Sequence, residues 1–140
     1  MILIDTNVVI DARDASQPDH AWAARLIEEA AAGEGAGINT VILAELCAGS
    51  TKPGDIESEI RKMEVDILDL PAAIATTCGK AYRRYLAARR GSGGGNAPRT
   101  PLPDFFIGAH AEATGWKLAT RDHERIARYF PKVSLITPPK

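Results

Sequence analysis

Short apolar runs alternate with helix-like segments along the whole sequence, and this alternation constrains the fold more than any other feature. A run of β-branched and aliphatic residues predicts a buried strand, whereas apolar residues at three- and four-residue spacing predict a helix. Strands that alternate with helices form a parallel sheet covered by helices on both faces, which is an α/β fold. The predicted strands are residues 2–4, 37–39, 65–70, 116–119 and 133–136, and the predicted helices are residues 6–12, 21–32, 41–48, 55–64, 71–90, 104–114 and 123–129.

Length and residue types limit the possible classes of protein further. The 140 residues contain no internal repeat and no linker-like boundary between domains, so we expect one domain over residues 1–140. No apolar run approaches the roughly 20 residues of a membrane span, and the first residues do not resemble a secretory signal. We therefore expect a cytoplasmic protein without a membrane partner, in which Cys47 and Cys78 are reduced and buried. The glycine-rich residues 91–98 predict a loop, and Thr40 could cap the helix predicted over residues 41–48.

Four carboxylates stand where a surface charge is not expected. Asp5 directly follows the first predicted strand, and Asp122 comes shortly after the fourth. Glu45 is the single charged residue among residues 40–50, and Asp104 begins an apolar helix. Each has an ordinary structural explanation: Asp104 and Asp122 could cap helices, Asp5 could form an Asx turn, and Glu45 could face water at a helix edge. Together they favour a site, because the carboxyl ends of parallel strands meet at one edge of the sheet.

A cluster of carboxylates predicts a divalent cation. Like charges in one cleft raise one another's pKa, and a bound cation relieves the repulsion. Oxygen ligands select Mg²⁺ or Mn²⁺ over zinc. No competing motif is present: the sequence lacks a P-loop, a GxSxG elbow and a GxGxxG turn. The three histidines, His20, His110 and His123, are scattered, and we expect them at the surface or on helices without forming a zinc site.

Four acidic motifs occur in an order that resembles the PIN-domain nucleases. They are ILIDTNVVID at residues 2–11, TVILAEL at 40–46, LPDFFIGAHA at 102–111 and LATRD at 118–122. The resemblance spans essentially the whole chain, and it is greatest to the VapC toxins of type II toxin–antitoxin pairs. The loop before Asp104 is longer and richer in glycine than the family pattern leads us to expect, which affects the chain path to that residue.

The resemblance implies a three-layer α/β/α fold and an Mg²⁺- or Mn²⁺-dependent endoribonuclease that uses one or two ions and leaves 5′-phosphate and 3′-hydroxyl ends. Its implied partners are an RNA substrate, a VapB-type antitoxin with an arginine that blocks the acidic cleft, and a second copy of the chain in a homodimer. The implied catalytic and metal-binding residues are Asp5, Glu45, Asp104 and Asp122; Thr6, Asn7 and Thr120 would support these acids, and Glu124 would be an additional acid.

The charge distribution is compatible with an RNA substrate, although the net charge of −1 suggests otherwise. Residues 1–79 contain five basic and fourteen acidic residues, and residues 80–132 contain eleven basic and four acidic ones. The second half could therefore bind phosphates beside the cleft, although each arginine could also be an ordinary solvated helix residue. The candidate RNA-binding residues are Arg83, Arg84, Arg89, Arg90, Arg99 and Arg121.

The sequence leaves other functions open. Asp5 could be the nucleophile of a phosphatase, although residue 7 is Asn where such enzymes have a second aspartate. The chain could also be a binding module without activity, or a PIN nuclease of RNA processing that has no antitoxin. Four apolar residues could form a dimer or antitoxin groove, but the core is the role we expect for them: Trp22, Ile42, Leu46 and Tyr82.

Overall fold

The computed structural model describes residues 1–91 and 102–140. Within them the predicted α/β fold is confirmed, with a five-stranded sheet of order β3-β2-β1-β4-β5 in which every neighbouring pair is parallel. In the register, Leu3 pairs with Gly37 on one side and with Leu118 on the other. The strands are β1 (Ile2–Ile4), β2 (Ala36–Asn39), β3 (Asp66–Leu68), β4 (Lys117–Ala119) and β5 (Leu135–Ile136).

The helices lie close to their predicted positions. One difference is at Pro71, where the chain first forms a 3₁₀ turn, Ala72–Ile74, before the long helix begins. The loop predicted at residues 91–98 lies outside the described residues except for Gly91, which ends that helix. The helices are α1 (Thr6–Arg13), α2 (His20–Ala32), α3 (Thr40–Ala48), α4 (Pro53–Lys62), α5 (Ala75–Gly91), α6 (Leu102–Thr114) and α7 (His123–Tyr129).

The central strand β1 is covered on both faces. All three of its residues are buried, although successive side chains point to opposite faces of a sheet. A strand buried on both sides is typical of a parallel sheet between two layers of helices. Among the predicted groove residues, Ile42 and Leu46 are buried in the core, and Trp22 and Tyr82 pack against it.

The start of α3 differs from the sequence prediction. Asn39, not Thr40, is its cap: the Asn39 Oδ1 accepts a hydrogen bond of 2.9 Å from the backbone N–H of Ile42. The Asn39 amide nitrogen also lies 3.2 Å from Nδ1 of His110. His110 is on a helix, as predicted, but it is buried rather than at the surface, and burial lowers its pKa. The imidazole is therefore a neutral core group.

The two cysteines agree with the expectation of buried thiols only in part. Cys78 is buried, whereas Cys47 is only partly covered, and both are free thiols. Within residues 1–91 and 102–140, every helix is too short or too polar to span a lipid bilayer.

An aromatic cluster fixes α5, α6 and α7 against one another. Phe105 of α6 lies with its ring centroid 5.4 Å from Tyr85 of α5 and 5.2 Å from Tyr129 of α7. Phe130 follows α7, and its ring lies so close to Gly108 that a Cβ there would be 2.3 Å from Phe130 Cδ2. The cluster holds α6, which carries Asp104, and α7, which follows Asp122, in a fixed relation to each other.

Candidate active site

Asp5 lies at the carboxyl end of the central strand and is only 7% exposed. Its Oδ1 accepts a hydrogen bond of 2.8 Å from the backbone N–H of Thr6, and its Oδ2 accepts one of 2.7 Å from the Thr120 hydroxyl. The pKa of Asp5 is raised to about 6, chiefly by burial and also by the charges of Asp104 and Asp122, against the lowering effect of these bonds. Three carboxylates therefore influence one another at this point of the sheet.

Asn7 joins the ends of β1 and β4. Its amide nitrogen lies 3.2 Å from Asp122 Oδ2 and 3.4 Å from Asp5 Oδ2, so the amide lies between two carboxylates. Its Oδ1 accepts a bond of 3.2 Å from the backbone N–H of Arg121. Thr120 accepts a bond of 3.0 Å from the backbone N–H of Asp122. These contacts hold the carboxylates of two neighbouring strands together in spite of their repulsion.

Glu45 reaches the same edge of the sheet from α3. Its Oε1 accepts a hydrogen bond of 2.7 Å from the Thr6 hydroxyl. The Thr6 backbone N–H is the group that binds Asp5, so Glu45 and Asp5 contact the same residue. Glu45 is half-buried and lines a groove beside Ile10 and Leu46. Thr6 therefore connects Glu45 to the site. Among the described residues, no hydrogen bond joins Glu45 directly to another acid.

Asp104 stands in the first turn of α6 and is paired with a cation of the same chain. Its Oδ2 lies 2.7 Å from Arg125 Nη1, and the two side chains are 20% and 39% exposed. Burial raises the pKa of Asp104, and the Arg125 guanidinium opposes that rise. Asp104, Asp122 and Asp5 in turn all raise the pKa of Arg125. The guanidinium therefore lies in the field of three carboxylates.

The donor set suits a hard divalent cation, although the side chains are not arranged around one. Asp5, Asp104 and Asp122 supply carboxylate oxygens, the ligands that Mg²⁺ and Mn²⁺ prefer. Among the residues that the structure describes, no three His, Cys, Asp or Glu side chains are grouped so as to hold a metal ion. Asp104 is instead paired with Arg125, which occupies one of its carboxylate oxygens.

Comparison with known proteins identifies the family of this chain. A family model described as the PIN domain matches residues 2–130. The chain belongs to the PIN-domain family. By sequence, no functionally characterised protein gives a significant match to this PIN domain. The predicted resemblance is thus confirmed at the level of the family.

Solved structures share the fold of this PIN domain at low sequence identity. VapBC-1 of nontypeable Haemophilus influenzae has a TM-score of 0.66 and 18% identity, and the match covers 98% of each chain. VapC20 of Mycobacterium tuberculosis, a toxin that cleaves the sarcin–ricin loop, has a TM-score of 0.65 and 16% identity over 96% of this chain and 99% of that one. VapBC2 of Rickettsia felis, bound to a DNA fragment from its promoter, has a TM-score of 0.64 and 22% identity over 98% of each chain.

A cleft of about 560 Å³ includes Asp122 and Arg125, the partner of Asp104, in its lining. A second cleft of about 490 Å³ lies next to it, and Arg128 lines both. The first is lined by Arg121, Asp122, His123, Glu124, Arg125, Arg128 and Tyr129, and the second by Thr77, Lys80, Arg84, Glu112, Arg128, Pro131 and Lys132. Glu124 thus faces the cleft, and no hydrogen bond joins it to the other acids in the described part of the chain.

The structure gives the predicted RNA-binding arginines different surroundings. Arg121 lines the first cleft, but its Nε lies 2.7 Å from Oδ2 of the buried Asp11. Arg84 lines the second cleft and donates a bond of 2.6 Å to the Tyr129 carbonyl. Arg89 lies over the Tyr85 ring, with its guanidinium carbon 5.8 Å from the ring centroid. Arg83 and Arg90 are exposed on α5, and Arg99 lies outside the described residues.

Three residues of the site and its cleft were missed by the sequence reasoning. Arg125 and Arg128 were counted only as part of the basic half, although their three-residue spacing places them on one face of α7. Asp11 is the third. It lies within the opening motif, where the sequence does not set it apart, yet it is only 2% exposed. An acid directly after the apolar run Val8–Val9–Ile10 was the available signal.

Proposed function

We propose that this PIN domain is a divalent-metal-dependent endoribonuclease of the VapC type, which hydrolyses phosphodiester bonds of RNA. The observation that carries the proposal is the group of Asp5, Asp104 and Asp122, whose charges influence one another at the carboxyl edge of a PIN-fold sheet. A side-chain nucleophile is not required for this reaction, because water is the attacking group.

The residues of the site have separate tasks in this proposal. A bound Mg²⁺ or Mn²⁺, as one or two ions, would lower the pKa of water and stabilise charge on the phosphate oxygens. Asp5, Asp104 and Asp122 would hold it, and Asp5, whose pKa is raised to about 6, is largely ionised at neutral pH and can serve as a ligand. Thr120 and Asn7 orient Asp5 and Asp122 by the hydrogen bonds described above. Glu45 would act as the fourth acid, positioned by Thr6.

An antitoxin and a second copy of the chain are the proposed protein partners. The structures of H. influenzae and R. felis that share the fold are VapBC complexes, which supports a VapB-type antitoxin for this chain. An arginine of such a partner would form a bidentate pair with the carboxylates. We expect a co-expressed antitoxin to inhibit RNA cleavage, measured on the purified complex, and a complex as active as the free protein would contradict this.

RNA cleavage by the purified protein tests the proposed function. We expect cleavage of transfer or ribosomal RNA in Mn²⁺ or Mg²⁺, loss of cleavage in EDTA, and products with 5′-phosphate ends, read on denaturing gels before and after phosphatase treatment. A phosphomonoester is the control substrate. Turnover of the phosphomonoester alone would indicate a phosphatase, and RNA cleavage that persists in EDTA would exclude the metal mechanism.

A further inference from the structure

Arg125 occupies a carboxylate that the proposed function assigns to a metal ion. Its Nη1 lies 2.7 Å from Asp104 Oδ2, and all three clustered aspartates act on its charge. A guanidinium and a divalent cation cannot both use the same lone pairs of Oδ2, so the two compete for Asp104. Arg125 is 39% exposed, which leaves it free to leave the pair without disturbing the core.

The cleft of about 560 Å³, which Arg125 itself lines, provides a second position for the same side chain. Arg125 lines it together with Arg128, which is three residues further along the same face of α7. Arg121 also lines it, although the buried Asp11 holds that guanidinium at 2.7 Å. Without an anion in the cleft, the neighbouring guanidinium of Arg128 repels Arg125, and this favours the pair with Asp104.

We propose that Arg125 exchanges between two anions, pairing with Asp104 in the metal-free protein and, once a divalent cation binds Asp104, turning into the cleft. There it binds, with Arg128, a phosphate of the nucleic-acid backbone that flanks the bond to be cleaved. A guanidinium suits both partners, because its planar fork binds carboxylate and phosphate alike. The proposal rests on the proposed function, and it makes metal binding a condition for full substrate binding.

The groups that face Arg125 in the cleft agree with an anion as its second partner. The acids there are Asp122 and Glu124, and the basic groups are Arg121, Arg128 and, when protonated, His123. A metal ion on the clustered aspartates would neutralise Asp122 as well as Asp104. The remaining charge of the cleft would then be positive, which favours a phosphate.

Manganese affinity tests the first half of the exchange. Titration calorimetry is carried out on the metal-free wild type, Arg125→Ala, Arg125→Lys and Arg128→Ala. We expect Arg125→Ala to bind Mn²⁺ about five- to tenfold more tightly, since the competing partly exposed ion pair is lost. Arg128→Ala removes the same charge from the cleft without freeing Asp104, so we expect a smaller change. Equal changes in both alanine variants would show a general charge effect and would overturn the exchange.

Binding of RNA tests the second half. The anisotropy of a short labelled single-stranded RNA of mixed sequence is measured in Ca²⁺ and in EDTA, with its integrity checked on a gel. We expect Arg125→Ala to weaken binding severalfold in Ca²⁺ and to have little effect in EDTA, where Asp104 already holds the wild-type arginine. Arg128→Ala should weaken binding in both conditions. Arg25→Ala on α2 is the matched control for loss of an exposed arginine outside the clefts.

The outcomes separate this proposal from the proposed function. If the wild type binds Mn²⁺ and cleaves RNA, but Arg125→Ala weakens RNA binding equally in Ca²⁺ and EDTA, the exchange is wrong and the nuclease stands. If no variant binds Mn²⁺ and the wild type does not cleave RNA, both are wrong. A metal-dependent loss of RNA affinity in Arg125→Ala, with tighter Mn²⁺ binding, supports the exchange.

Discussion

Asp5→Asn is expected to abolish RNA cleavage and, at the same time, to stabilise the metal-free protein. Asp5 is the most buried of the clustered aspartates, and its pKa is raised from 3.8 to about 6, chiefly by burial. Each pKa unit corresponds to about 1.4 kcal/mol, so ionised Asp5 costs the free protein roughly 2–3 kcal/mol of its unfolding free energy. Asn removes the charge and keeps an oxygen for the Thr6 or Thr120 bond. Loss of a group that only orients a metal ligand typically costs about 10–100-fold in activity, so we expect loss of the ligand itself to lower cleavage at least ~100-fold.

The stabilisation by Asp5→Asn should depend on pH in a defined direction. The folded pKa is above the unfolded one, so the folded protein holds this proton more tightly, and the resulting stability is complete below about pH 4 and lost as pH rises through about 6. The melting temperatures of wild type and variant in EDTA should therefore be similar in acid and differ most above about pH 7. A variant that melts below the wild type at the higher pH would contradict the prediction.

Asp11→Asn is a matched control, because it removes another buried aspartate with the opposite expected effect. Asp11 is 2% exposed and is paired with Arg121 at 2.7 Å, whereas Asp5 has no cation partner in the described part of the chain. Loss of the Asp11 charge should leave Arg121 without its partner and lower the unfolding free energy by about 1 kcal/mol. Opposite shifts in melting temperature would show that the effect at Asp5 comes from its site.

The second large effect, a loss of unfolding free energy, is expected from Gly108→Ala in α6. A Cβ at this position would lie 2.3 Å from Cδ2 and 2.5 Å from Cε2 of Phe130, closer than side-chain atoms can approach. Phe130 is 2% exposed and packs on Phe105, so its ring cannot turn aside without moving α6 from α7. We expect a loss of about 3 kcal/mol, measured by urea unfolding, which corresponds to roughly 10 °C in melting temperature.

Gly79→Ala provides the matched substitution in another helix. A Cβ at Gly79 meets no atom within 4 Å, and the residue is exposed on α5. The substitution should stabilise the protein by about 0.5–1 kcal/mol, the usual gain from Gly to Ala in a helix. If Gly108→Ala were as stable as Gly79→Ala, the close packing of α6 on Phe130 would be wrong. Cleavage should fall only in the Gly108 variant, since Asp104 lies one turn before it.

The sheet could be predicted from the sequence because apolar runs and helical spacing are local properties. The order of the strands could not, since a pattern of runs does not tell which strands are neighbours; the structure puts β1 between β2 and β4. The prediction that Thr40 caps α3 was wrong for a related reason. Asn39 and Thr40 are both good caps by residue type, and only the buried contact of Asn39 with His110 separates them.

The candidate site, like the fold, could be predicted from the sequence only in part. Asp5 and Asp122 follow strands, so the rule that strand ends meet at one edge was sufficient to bring them together. The position of Asp104 beside them depends on how α6 packs, and the family resemblance supplied that expectation. The pair of Asp104 with Arg125 could not be predicted from the sequence. Eleven basic residues lie in residues 80–132, and their charges alone do not tell which of them faces which acid.

The pairing of β1 with β4 also has a consequence for the synthesis of the chain. The Thr120 hydroxyl and the Asp5 carboxylate that it binds are 115 positions apart, and the Asp5 backbone N–H bonds the Ala119 carbonyl at 2.9 Å. A ribosome must therefore translate past residue 120 before the acids can meet, and a nascent chain that ends before this residue has no assembled site. Under the proposed function, the translating ribosome would be protected from its own product until residue 120 has left the exit tunnel.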